Sequence, residues 1–166
     1  MSLRLAVMAL VLAGCAGAVT AGTSSTRGAS PPPQGQTAVP AALRGFPVRE
    51  VELDGRLWWV AVADSPERRA QGLMGVDDLG GLDGMLFVFD EPVVPAFWMK
   101  DTLIPLDVAF FDGHGRLVEV QQMEPCRRQP CPTYAPDSPV RWALEAPAGN
   151  LVGLPESARL VVEGAA

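Results

Sequence analysis

From Leu43 onward the apolar runs are short, and glycine or proline closes each one. No long amphipathic helix can form under that punctuation, so the chain must build its core from short strands joined by tight turns. Val48 to Leu53 alternates in polarity and reads as a strand. Asp54-Gly55 is a hairpin turn signal, and Leu57 to Val62 is the return strand, with Trp58 and Trp59 on opposite faces. Ser65-Pro66-Glu67 marks a helix start, with a capping hydroxyl, proline at the first helical position and an acid in the first turn. Gly72 ends that helix after about two turns. Met85 to Phe89 is apolar on both faces and belongs in an interior. Pro92 and Pro95 break the chain before Trp98. Leu106 to Phe111, Leu117 to Glu124, Val140 to Ala146 and Leu160 to Val162 complete the strands, with turns at 112–115 and 147–149. The pattern predicts a mainly β (α+β) fold: a compact β-barrel-like domain of short antiparallel strands with one or two short helices.

The N-terminus has a different character. Arg4 followed by the apolar run Leu5 to Ala13 is too short to span a bilayer and reads as a signal peptide over residues 1–14. Leu12-Ala13-Gly14-Cys15 resembles a bacterial lipobox, which implies lipidation of Cys15 and attachment to a membrane of the cell envelope. Residues 15–42 are rich in Ala, Gly, Ser, Thr and Pro and read as a disordered tether, leaving 43–166 as a single globular domain. Between Leu43 and Glu163 lie eleven basic and nineteen acidic residues, a net charge of −8, which argues against nucleic acid as a partner.

The candidate site is Phe97-Trp98-Met99-Lys100-Asp101-Thr102. Lys100 is the sole lysine beside twelve arginines, so a compact ammonium has been kept where guanidinium is used elsewhere. Alternation puts Trp98, Lys100 and Thr102 on one face. A hairpin through residues 102–105 would set Lys100 opposite Asp107 and Trp98 opposite Ala109. Lys100 then reads either as a structural ion pair or as a ligand-facing amine. Trp98, Lys100, Thr102, Asp107 and Tyr134 form the candidate ligand-binding set, and Lys100 with Asp107 is the candidate catalytic pair.

Residues 125–139 carry five prolines and two cysteines. With Cys15 assigned to the lipobox, Cys126 and Cys131 remain as an even pair in an exported chain, and a disulfide between them is expected. Metal is not expected: the loop has no histidine, and His114, the one histidine present, sits in a turn. The spacing is also not that of a thioredoxin-like pair. No cofactor is implied.

Several ordered motifs resemble the domain-of-unknown-function 192 family. They are Glu67 with Gly72-Leu73-Met74, Gly84 to Phe89, Phe97 to Lys100, Thr102 to Asp107, Met123 to Cys126, Cys131 to Tyr134, and Leu144-Glu145 with Ala148-Gly149. The resemblance runs from about Val48 to the C-terminus. It implies a compact barrel-like fold and brings no reaction with it. Three positions depart from the family pattern: Val76 where Arg is common, and Asp101 and Pro147 where Asn is usual.

Two functions follow. The first is a non-catalytic envelope lipoprotein that binds a small polar ligand, such as a sugar or an envelope fragment, through the Trp98/Lys100 strand. The second is an envelope hydrolase or transferase using Lys100 with Asp107 or Tyr134. The absence of a histidine partner and of a serine in a nucleophile-elbow context favours binding.

Overall fold

The structure, a computed structural model, describes residues 39–164. The expected signal peptide, Cys15 and nearly all of the expected tether lie outside the described residues. The described part begins with a 3-10 turn, Ala41–Leu43, and continues through β1 (Val48–Leu53), β2 (Arg56–Ala63), α1 (Pro66–Gln71) and β3 (Gly84–Val93). Then come β4 (Phe97–Trp98), β5 (Leu106–Phe111), β6 (Leu117–Met123), β7 (Thr133–Tyr134), β8 (Val140–Pro147) and β9 (Leu160–Val161). Among the described residues no helix is long and apolar enough to cross a membrane.

Local signals set the local geometry. Asp54 and Gly55 both have positive φ, at 49° and 80°, which is what a two-residue hairpin loop needs to match the strand twist. Ser65 Oγ accepts from the Arg68 N–H at 3.3 Å, and Gly72 closes α1 at φ 50°. Pro92 sits inside β3 rather than ending it. Pairing of β3 with β2 stops at Phe87, so beyond that point one side of β3 asks for no donor.

Seven strands form one sheet in the order β6-β5-β8-β3-β2-β1-β9, and β4 pairs with β7 in a separate two-stranded ribbon. All sheet neighbours are antiparallel except β2 and β3, which run parallel. A parallel pair requires a crossover connection, and residues 64–83, with α1, supply it. The sheet curls until its outermost strands meet. Arg116 and Arg159 form an antiparallel bridge, and the Leu160 N–H donates to the Gly115 carbonyl at 2.8 Å. Gly115 has φ +72°, and a Cβ there would stand 2.1 Å from the Leu160 oxygen, so only glycine permits this seam.

Two apolar clusters occupy the two faces. The inner one gathers Leu53, Trp58, Leu86, Phe111, Leu144 and Leu160, drawn from both ends of the curl. The outer one sets Met85, Phe87, Val108 and Phe110 under the crossover residues Leu73 and Leu79 and under Phe97 and Met99. Leu43 and Phe46 join the outer cluster, with Val39 and Ala42 packed beside them. The folded region therefore starts before Leu43, inside the stretch the composition assigns to the tether. Apolar side chains as sparse as Val39 carry no sequence signal of burial.

Candidate functional site

The hairpin expected between the Trp98 strand and Leu106–Phe111 does not form. β5 is taken on both sides, with Asp107 opposite Gln122 on β6 and Ala146 on β8. Ala109 faces Val120 and Leu144, so Trp98 has no access to it. Trp98 instead pairs with Thr133 and Phe97 with Tyr134, while Lys100 bridges in parallel to Cys126. Two central neighbours satisfy the backbone of β5 better than a two-residue partner could.

Asp107 is fully buried. Its Oδ2 accepts from the Gly149 and Leu151 N–H groups at 2.8 and 3.0 Å, and so holds the turn after β8. Its parity along β5 places it on the inner face with Ala109 and Phe111. The Lys100–Asp107 pair, structural or catalytic, is therefore absent. The partner of Lys100 is its neighbour: Nζ lies 3.8 Å from Asp101 Oδ2 and 5.5 Å from the Trp98 ring centroid. Trp98 and Lys100 thus share a side, as alternation requires, with Phe97 and Met99 buried on the other.

Thr102 breaks that alternation. Asp101 adopts φ +55°, the Thr102 N–H returns to the Met99 carbonyl at 3.3 Å, and Thr102 swings inward to a buried position. Left-handed backbone is tolerated by Asn and Asp above other non-glycine residues. Asp101 in the place of a usual Asn is thus a backbone requirement, and a lost amide contact need not be invoked. Tyr134 stands away from the cavity described below; its Oη accepts from the Glu124 N–H at 3.4 Å.

A cavity of about 230 Å³ opens on the outer face between α1, β3 and the segment leading into β4. Phe87, Phe89 and Phe97 form its apolar walls, and Trp98, 45% exposed, stands at its rim. Thr102 and Glu145 reach it from below, and Arg69 borders it from α1. Of the residues selected from sequence, the cavity brings together Trp98 and Thr102. Lys100, Asp107 and Tyr134 do not line it.

Glu145 is the residue that sequence reasoning misses. It lies on β8 between Met85 of β3 and Val108 of β5, two residues from outward-facing Ala143, and only 4% of it is exposed. Burial pushes its carboxyl up to about 8, and no neighbouring charge or hydrogen bond among the described residues offsets this. Gly84 lets β3 approach here, since a Cβ on it would meet the Glu145 carbonyl oxygen at 2.2 Å. The available signal was a lone acid in a strand otherwise apolar on both faces, Trp142-Ala143-Leu144-Glu145-Ala146.

Cys126 and Cys131 form a disulfide with Cα atoms 5.5 Å apart. The ring sits directly beside Lys100, because the Cys126 N–H donates to the Met99 carbonyl at 3.1 Å. The linkage stiffens the loop that backs the Trp98 segment.

A curled, mainly β domain with a small side cavity and a buried acid in the cavity wall is the class these features define. The chain belongs to the domain-of-unknown-function 192 family (DUF192, "Uncharacterized ACR"), whose model matches residues 49–159. A crystal structure of a "putative transcription regulator" from Sinorhizobium meliloti 1021 is similar at 30% identity and a TM-score of 0.62, covering 69% of this chain and 93% of its own. A protein of unknown function from Novosphingobium aromaticivorans DSM 12444 shares the fold at 22% identity and a TM-score of 0.67, over 79% of this chain and 95% of that one. No curated protein matches the sequence.

Proposed function

We propose that this domain is a ligand-binding module of the cell envelope, anchored through lipidated Cys15, and that a small polar ligand enters the cavity beside Trp98. The observation that carries this reading is the buried Glu145 carboxyl in the cavity wall. A carboxyl held among apolar side chains without a partner lowers stability, and no partner among the described residues offsets that loss. A group kept at such a cost in a cleft is better explained by a ligand than by packing. Thr102 adds a second polar group, and the aromatic walls and rim supply contact area.

The Lys100–Asp107 form of the enzyme reading loses its pair. Lys100 and Asp107 are on different elements with different partners, and Thr102 Oγ1 turns to the Lys100 carbonyl rather than to a base. Direct binding of nucleic acid fits poorly with a domain charge of −8.

Covering the mouth tests the reading without disturbing the core. Ala96 is exposed at the cavity edge, so Ala96→Trp is expected to leave the melting temperature unchanged while abolishing any ligand-induced thermal shift. Equal ligand shifts in both proteins would refute the site. Radiolabelled fatty acid incorporated into the chain, and lost in Cys15→Ala, tests the anchor; a chain that takes up no label would refute it.

A further inference from the structure

The cavity wall holds one basic group and one acid. Glu145 reaches it from β8 and Arg69 from α1, and the two form no ion pair with each other. Arg69 is held in place: Nη1 donates to the Val88 carbonyl at 2.8 Å, and its guanidinium stands 5.6 Å from the centre of the Phe89 ring. Its remaining N–H groups have no hydrogen-bond partner among the described residues. Glu145 is likewise without a partner among the described residues.

We propose that the cavity binds a small zwitterionic amino compound, with its ammonium seated against Glu145 and its acidic group against Arg69. This deepens the binding reading above and rests on it. A ligand with only an acidic group would meet Arg69 and leave the Glu145 carboxyl without a cation, and one with only an ammonium would be repelled by Arg69. A neutral ligand would leave the Arg69 guanidinium without a counter-charge and bring no cation to Glu145. Phe87 and Phe97 also line the cavity, and an ammonium over the face of either ring would gain from its negative potential. The cavity, about 230 Å³ and open on one side, has room for a ligand the size of a small amino acid.

Seating the ammonium has a consequence for protons. Without a cation beside it Glu145 holds its proton at neutral pH, because burial disfavours the carboxylate. When the ammonium arrives, the O–H bond of the carboxyl breaks, the proton passes to solvent, and the carboxylate keeps the electron pair. Arg69 is the one other charged group in the cavity wall. The flanking residues Met85 and Val108 are apolar, Thr102 is neutral, Lys100 and Asp101 pair with each other outside the cavity, and Asp107 lies on the opposite face.

Calorimetric titration of the intact chain at pH 7 tests this, using alanine, β-alanine and 4-aminobutyrate against propylamine, propionate and glucose. Two buffers of different ionisation enthalpy report the proton count. At least one of the zwitterions should bind about tenfold tighter than propylamine or propionate, releasing close to one proton. Glu145→Gln should remove the proton release and the preference for an ammonium, while Arg69→Gln should remove the preference for the acidic group. Propylamine or propionate binding as tightly as every zwitterion would overturn the proposal, as would proton release unchanged in Glu145→Gln. Binding of glucose alone would overturn this inference and leave the cavity standing as a site. Binding of none of the six at millimolar concentration would sink both.

Discussion

Glu145 and Asp107 are both buried acids on neighbouring strands, yet they differ in what surrounds them. Asp107 receives two backbone N–H groups, whereas Glu145 receives none among the described residues. The difference predicts a pH dependence. The unfolded Glu145 carboxyl titrates near 4.5 and the folded one at about 8, so the folded state retains a proton that the unfolded state has lost. Its contribution to stability is complete below the unfolded value and disappears as pH rises through the folded one. Urea midpoints should therefore fall between pH 5 and pH 8.5 in the wild type. Glu145→Gln should flatten that window and be more stable at the alkaline end by on the order of a few kcal/mol. A wild-type domain that grows more stable over the same range would contradict this assignment. Asp101 supports a second prediction at this scale. Asp101→Asn should be nearly neutral, whereas Asp101→Val, which places a β-branched residue at φ +55°, should cost about 1–2 kcal/mol in chemical denaturation.

Among the elements, those specified by adjacent residues were legible and those that depend on distant ones were not. Asp54-Gly55 and Ser65-Pro66 state their turn and cap in their own side chains. The chain around Phe97-Trp98 states only that it is extended. Its partner, Thr133–Tyr134, lies across β5, β6 and the proline loop, and no local feature selects it over nearby Leu106–Phe111. Glu145 was hidden for a related reason, because its burial arises only once β3, β5 and α1 have assembled around it. The Cys126–Cys131 linkage was legible from counting and acts on this same ribbon. Closing so small a ring constrains the unfolded chain by about 2 kcal/mol. Cys126→Ser with Cys131→Ser should lower unfolding stability by that order, and amide exchange should rise first at Cys126, whose N–H reaches Met99. Protection of that amide unchanged in the double variant would show that the ring does not brace the ribbon.

At the scale of the whole molecule, barrel-like closure was foreseeable from the density of short strands, but the site of closure was not. It rests on Gly115, a residue the sequence marks only as part of a tight turn. Gly115→Ala should destabilise by at least about 2 kcal/mol, since it adds both steric conflict with Leu160 and an unfavourable φ. Hydrogen exchange should show the Leu160 amide losing protection before the β3–β8 amides do. Uniform loss across the sheet would argue that the seam opens only on global unfolding.

Leu43 and Phe46 plug the outer cluster, and α1 grips the same segment: Gln71 donates to the Ala42 carbonyl and Arg68 to that of Gly45. If the chain hangs from Cys15, as proposed above, any tug on the segment before Val39 arrives at this plug before it reaches β1. The 3-10 turn would peel first, as a sacrificial fuse, and leave the curled strands paired behind it.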